Sequence, residues 1–78
     1  MDLQKYFPVG EDSAVEMTII TGSGNTLTGA AWLESNTSTE ASIRATEGTL
    51  AGHVWIVSDQ HIVALILPPE TQQSRRKS

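Results

Sequence analysis

The run His53-Val54-Trp55-Ile56-Val57-Ser58-Asp59-Gln60-His61-Ile62-Val63-Ala64-Leu65-Ile66-Leu67-Pro68 limits what this chain can fold into more than any other segment. Two apolar, β-rich stretches are separated by a few polar residues and closed by proline, which is how two strands joined by a tight turn are written. The second stretch, Ile62 to Leu67, is apolar at odd and even positions alike, so both faces of that strand need cover. In a chain of 78 residues one sheet buries one face, and the other must meet a second layer or another subunit. The expectation is a small all-β domain that assembles.

Size and composition sharpen this. With 38% hydrophobic residues, the chain holds one small core that contributes about 3–5 kcal/mol. Such domains need a staple. Cysteine is absent, which excludes disulfides and thiolate metal sites, and the two histidines, His53 and His61, are too few for a structural zinc centre. Oligomerisation is the staple that is left. No basic and apolar leader opens the sequence, and no apolar run approaches the ~20 residues of a membrane span. The expected setting is therefore cytoplasmic, with no membrane partner.

The formal net charge of −4 hides an asymmetry. Residues 1–70 carry Lys5 and Arg44 against nine acids, a balance of −7, whereas residues 71–78 carry Arg75, Arg76 and Lys77. An acidic body with a short basic tail is not the footprint of a protein that grips a polyanion over a broad surface. Nucleic acid would have to meet a local site or the tail.

The chain reads as a short lead-in, five strands and a disordered end. Asp2 caps a single helical turn in which Leu3, Tyr6 and Phe7 share a face, Pro8 stops it, and Val9 to Ser13 is a linker. From Val15 to Ile20, Val15, Met17 and Ile19 alternate with polar residues, the pattern of a half-buried strand. Thr21-Gly22-Ser23-Gly24-Asn25 reads as a hairpin loop, since neither a lysine nor a helical pattern follows to make it a phosphate loop. Thr26 to Glu34 returns as a second strand with Leu27, Gly29, Ala31 and Leu33 on one face, and mid-strand Gly29 marks a bend or a close backbone approach. A polar loop to Glu40 follows, whose Asn36-Thr37-Ser38 is a chance glycosylation sequon. Ala41 to Thr46, Leu50 to Val57 and Ile62 to Leu67 make the last three strands. Residues 1–69 form one domain, and residues 70–78, without an apolar anchor, form a disordered basic tail. Five short strands behind a stub helix suggest an SH3-like or OB-like barrel.

The order of these elements resembles the Sm-like family, within it the Hfq branch. The resemblance spans most of residues 2–68: the short N-terminal helix, Val15-Glu16-Met17-Thr18-Ile19-Ile20 before a glycine turn, Leu27-Thr28-Gly29 after it, and His61-Ile62-Val63-Ala64-Leu65-Ile66-Leu67-Pro68 at the end. Hfq-like proteins place a Lys-His pair before a comparable segment ending in proline; here the pair is Gln60-His61. The resemblance implies a five-stranded SH3-like (Sm-like) barrel with a short N-terminal helix. It also implies a homo-oligomeric ring of about five to seven subunits, fourth strand paired to the next subunit's fifth, with single-stranded RNA at the pore or a ring face.

By this correspondence His61 lines the pore, Gln60 stands where a lysine is expected, and Gln4 and Lys5 on the stub helix face one ring surface. Trp32 and Trp55 each offer an aromatic platform for a base, worth about 1–3 kcal/mol when exposed, though a lone tryptophan in a small assembling domain more often belongs to core or interface. The sequence departs from the family in its longer hairpin loop, in Glu34-Ser35-Asn36 after the second strand, and in the missing lysine. Each departure removes affinity for phosphate. The competing expectation is an assembling barrel of phage or plasmid type that does not bind RNA.

An enzyme is not expected. Gly29-Ala30-Ala31-Trp32 and Val54-Trp55-Ile56-Val57 resemble segments of the type II dihydrofolate reductases, but Trp55 and Val57 cannot make the hydrogen bonds that orient pterin and nicotinamide. No cysteine, serine–histidine elbow or coupled acid pair supplies another catalytic group. Neither a cofactor nor a metal is called for.

Overall fold

A computed structural model describes residues 2–68. Five strands form one antiparallel sheet: β1 (Val15–Thr21), β2 (Thr26–Trp32), β3 (Glu40–Ala45), β4 (Val54–Ser58) and β5 (Ile62–Ile66), in the order β4-β3-β2-β1-β5. The all-β expectation holds. Among the described residues no helix is long and apolar enough to cross a membrane.

Consecutive strands β4 and β5 occupy opposite edges of the sheet, although only the 3-10 turn Asp59–His61 joins them. In a flat sheet four strand spacings would hold them about 19 Å apart. A 3-10 connection from Ser58 to Ile62 advances only about 8 Å. The sheet is therefore strongly curled, with its edges drawn together at this end, and a register shift between Ile20 and Thr21 adds local twist. Among the described pairings none joins β4 to β5.

Alternation decides what the curl encloses. Met17 and Ile19 from β1, Leu27 and Ala31 from β2, Ala41 and Ile43 from β3, Val57 from β4 and Ile62 from β5 point into one core, with Leu3, Phe7 and Leu33 closing it. Gly29 pairs with Met17 on one side and Ala45 on the other, and a Cβ there would overlap the Arg44 carbonyl. The close approach anticipated at Gly29 is real.

Several boundaries move from their expected places. The first turn is a 3-10 turn over Leu3–Lys5, and the Asp2 side chain does not cap it; its carbonyl accepts from the Lys5 N–H at 3.1 Å instead. Leu3 and Phe7 are buried while Tyr6 is exposed: the Phe7 N–H donates to the Leu3 carbonyl at 2.9 Å, an i+4 bond that sets these two on one side and leaves Tyr6 outside. The linker contains a second 3-10 turn, Glu11–Ser13. Leu33 has left β2 to bridge Val9 in parallel, donating to the Pro8 carbonyl at 2.7 Å. β4 starts at Val54 rather than Leu50: Gly48 and Gly52 take φ of 87° and 91° and close turns over the intervening residues. The expected tail, residues 70–78, lies outside the described residues.

Candidate functional site

The curl opens a cleft of about 540 Å³ between the β1–β2 turn and β4. One wall is the turn. Thr21 Oγ1 accepts from the Asn25 N–H at 3.1 Å and contacts Ser23 Oγ at 3.1 Å, while the Thr21 N–H donates to the Asn25 carbonyl at 2.9 Å. Gly24, with φ of 93°, supplies the backbone conformation that such a closed turn needs. The loop is thereby a preformed rim of hydroxyl and amide groups.

The other wall is Trp55 to Ser58 with Gln60 and His61 from the 3-10 turn. Ser58 caps that turn, its Oγ accepting from the Gln60 N–H at 3.4 Å. The two walls are tied. The Gly22 N–H donates to the His61 carbonyl at 2.7 Å, and His61 Nε2 lies 3.4 Å from Ser23 Oγ. Trp55, half-buried, packs on the core and shows its remaining surface to the cleft, where Leu27 and Val57 complete the apolar floor. Among the described residues no Asp, Glu, Lys or Arg lines this cleft.

Trp55 also separates it from a second cleft of about 460 Å³ along the β3–β4 turn, which shares Asn25, Leu27 and Trp55 and carries the Glu47 carboxylate. Three of the five residues singled out from the sequence, Trp55, Gln60 and His61, thus meet in one place. Gln4 and Lys5 do not join them. Gln4 Nε2 donates to the Asn36 carbonyl at 2.6 Å, which places that turn against the β2–β3 loop, and Lys5 is exposed beside it. Trp32 is buried, its Nε1–H donating to Glu34 Oε2 at 2.9 Å, so it is a core residue.

Sequence reasoning missed the opposite wall, Thr21, Ser23 and Asn25, which it treated only as a turn. The available signal was the density of hydroxyl and amide side chains around two glycines. The other cation of the described body, Arg44, is paired with Glu11 on the far side of β3 from the core. Among the described residues no group of three or more His, Asp or Glu side chains is placed to hold a metal ion. No known protein family, curated protein or solved structure matches this chain.

Proposed function

We propose that the chain is the subunit of an Sm-like ring, each subunit a small SH3-like barrel, that binds short single-stranded RNA. The observation that carries this reading is the pair of edge strands, each with one side unpaired among the described residues and both armed with exposed aliphatic side chains: Val54 and Ile56 on β4, Val63 and Ile66 on β5. Exposed edges of this kind invite pairing with another chain. Two different edges on one molecule make a head-to-tail contact, which closes into a ring when the rotation allows. Pairing β4 of one copy with β5 of the next satisfies both edges in every subunit and covers Val63 and Ile66. The short link between the strands, which carries Gln60 and His61, is then held at each joint, and Gln4 and Lys5 lie on a ring face.

Light scattering of the full chain tests the ring, with a closed oligomer of about five to seven copies as the expected outcome. Fluorescence anisotropy with oligo-U and oligo-A tests the RNA. Binding at low salt that weakens as salt rises is expected, and no binding to either at low salt defeats the RNA half of the reading. One observation favours the alternative, an assembling barrel without RNA. Residues 2–68 hold eight acids against Lys5 and Arg44, and Arg44 is engaged by Glu11. Both readings expect the ring, so the anisotropy measurement separates them.

A further inference from the structure

We propose that the cleft between the β1–β2 turn and β4 is a nucleoside site, which takes the base and sugar of a nucleotide and leaves its phosphate in solvent. The inference rests on the RNA reading above and specifies how such a ligand is held. Its first support is charge. An RNA-binding surface ordinarily gains most of its affinity from cations on phosphates, yet among the described residues no lysine or arginine lines this cleft. Beyond Trp55, the adjoining cleft presents the Glu47 carboxylate, which repels a phosphate directed that way. Among the described residues the cleft thus offers a phosphate no permanent positive charge.

The second support is the kind of groups that do line it. Asn25 and Gln60 stand on opposite walls, and a carboxamide presents a donor and an acceptor side by side, the arrangement that matches a base edge; Asn25 Nδ2 already donates to Ser23 Oγ at 3.4 Å, which leaves its second N–H and its Oδ1 for a ligand. Gln60 uses its backbone N–H to complete the turn, and among the described residues its side-chain amide makes no hydrogen bond. Ser23 and Ser58 add hydroxyls that can donate to or accept from a sugar. Trp55 and Leu27 supply apolar surface for the face of a base, and aromatic stacking of this kind tolerates any base. The cleft falls within the range of small-ligand sites, about 300–1,000 Å³.

Heteronuclear NMR on the full chain tests this with uridine, adenosine and their 5′-monophosphates at low and high salt, beside the oligonucleotide anisotropy. At least one nucleoside is expected to shift the amides of Gly22, Ser23 and Asn25 and the Trp55 indole. Its affinity is expected to stay within about twofold when salt is raised or a 5′-phosphate added, because no phosphate contact is gained or lost. Asn25→Ala and Gln60→Ala, both at exposed positions that leave the core untouched, should each weaken it about fivefold, the worth of one ordinary hydrogen bond. If oligonucleotides bind but neither nucleoside does, or a monophosphate binds about tenfold tighter than its nucleoside, the nucleoside site is overturned and the RNA reading stands. Shifts confined to residues outside the cleft overturn it equally. Nucleoside binding without oligonucleotide binding supports the site and defeats the RNA reading, and binding of neither defeats both.

Discussion

β2 and β5 lie two strands apart in the same curled sheet and differ in almost every respect. β2 has hydrogen-bonded neighbours on both sides, and its inward positions Leu27, Gly29 and Ala31 are all buried. β5 has one neighbour, and Val63 and Ile66 remain 63% and 56% exposed. The more hydrophobic of the two strands is the less buried. The missing side chain at Gly29 lets the β3 backbone approach β2 closely, so burial there comes from fit. The larger aliphatics of β5 exceed what this fold can cover, and the same holds for Ile56, 64% exposed on the opposite edge. The centre specifies the fold, while the edges carry apolar surface that the described residues leave uncovered.

The hardest test of this contrast is at the centre. Gly29→Val should prevent folding, or cost on the order of 3 kcal/mol or more, because a side chain there collides with the β3 backbone rather than with a flexible neighbour. Circular dichroism through a thermal scan reads it. A variant that melts like the parent would show that β2 and β3 can separate without loss, and the centre would no longer be the rigid part.

The next largest effect belongs to the edges, and it should be of another kind. Val63→Asp and Ile56→Asp should each leave the fold of the subunit intact while abolishing the oligomer, since pairing would bury an unpartnered carboxylate at a cost of several kcal/mol. Light scattering should report monomers, with far-UV dichroism unchanged. If either variant unfolds outright, the subunit needs the edge contact to stay folded, and the distinction between a centre that specifies the fold and edges that only associate fails.

This difference was partly legible in the sequence. Alternation at Val15, Met17 and Ile19, the mid-strand Gly29, and the two-faced run Ile62 to Leu67 all announced the strands and the surplus apolar surface. Local pattern could do this because each strand carries its own period. Contacts between distant segments were not legible. The parallel bridge of Val9 to Leu33, and the Gly22–His61 hydrogen bond that closes the cleft, join positions far apart in sequence with no periodic signal between them. The late start of β4 escaped for a different reason: Leu50, Gly52 and Val54 do alternate with other residues, but Gly48 and Gly52 spend that stretch in turns. Half of the cleft was thus foreseen through Trp55, Gln60 and His61, and half was not.

Smaller effects are expected at the cleft, which lies between centre and edge. Gln60→Lys should strengthen oligonucleotide binding at low salt and steepen its dependence on salt by about 0.7 in log–log slope for each phosphate newly contacted. The same substitution removes the amide and should weaken any nucleoside. His61→Ala should lower oligonucleotide affinity a few-fold and leave the oligomer intact, because among the described residues the imidazole's one hydrogen-bond partner is Ser23 at 3.4 Å, while the backbone carbonyl of residue 61 makes the tie to Gly22. Oligomer loss in this variant would mean that the side chain belongs to the edge contact.

The smallest effect should come from the outer face of the centre. Arg44 projects outward from β3, donates to the Gly52 carbonyl at 3.2 Å and pairs with Glu11, so it straps the β3–β4 turn and the Glu11–Ser13 turn across the sheet. Both partners are about half exposed, with side-chain exposures of 47% and 53%, and solvent screens most of their attraction. Arg44→Ala should therefore cost less than about 1 kcal/mol. Much of that difference should vanish at high salt, where the ion pair is screened and the guanidinium's hydrogen bond to the uncharged Gly52 carbonyl is what the parent still gains. Parallel urea titrations of parent and variant at low and high salt measure it. A loss of several kcal/mol, or one indifferent to salt, would mean that the strap holds the two turns in place mechanically, and that the stability of the centre depends on a polar link outside the core.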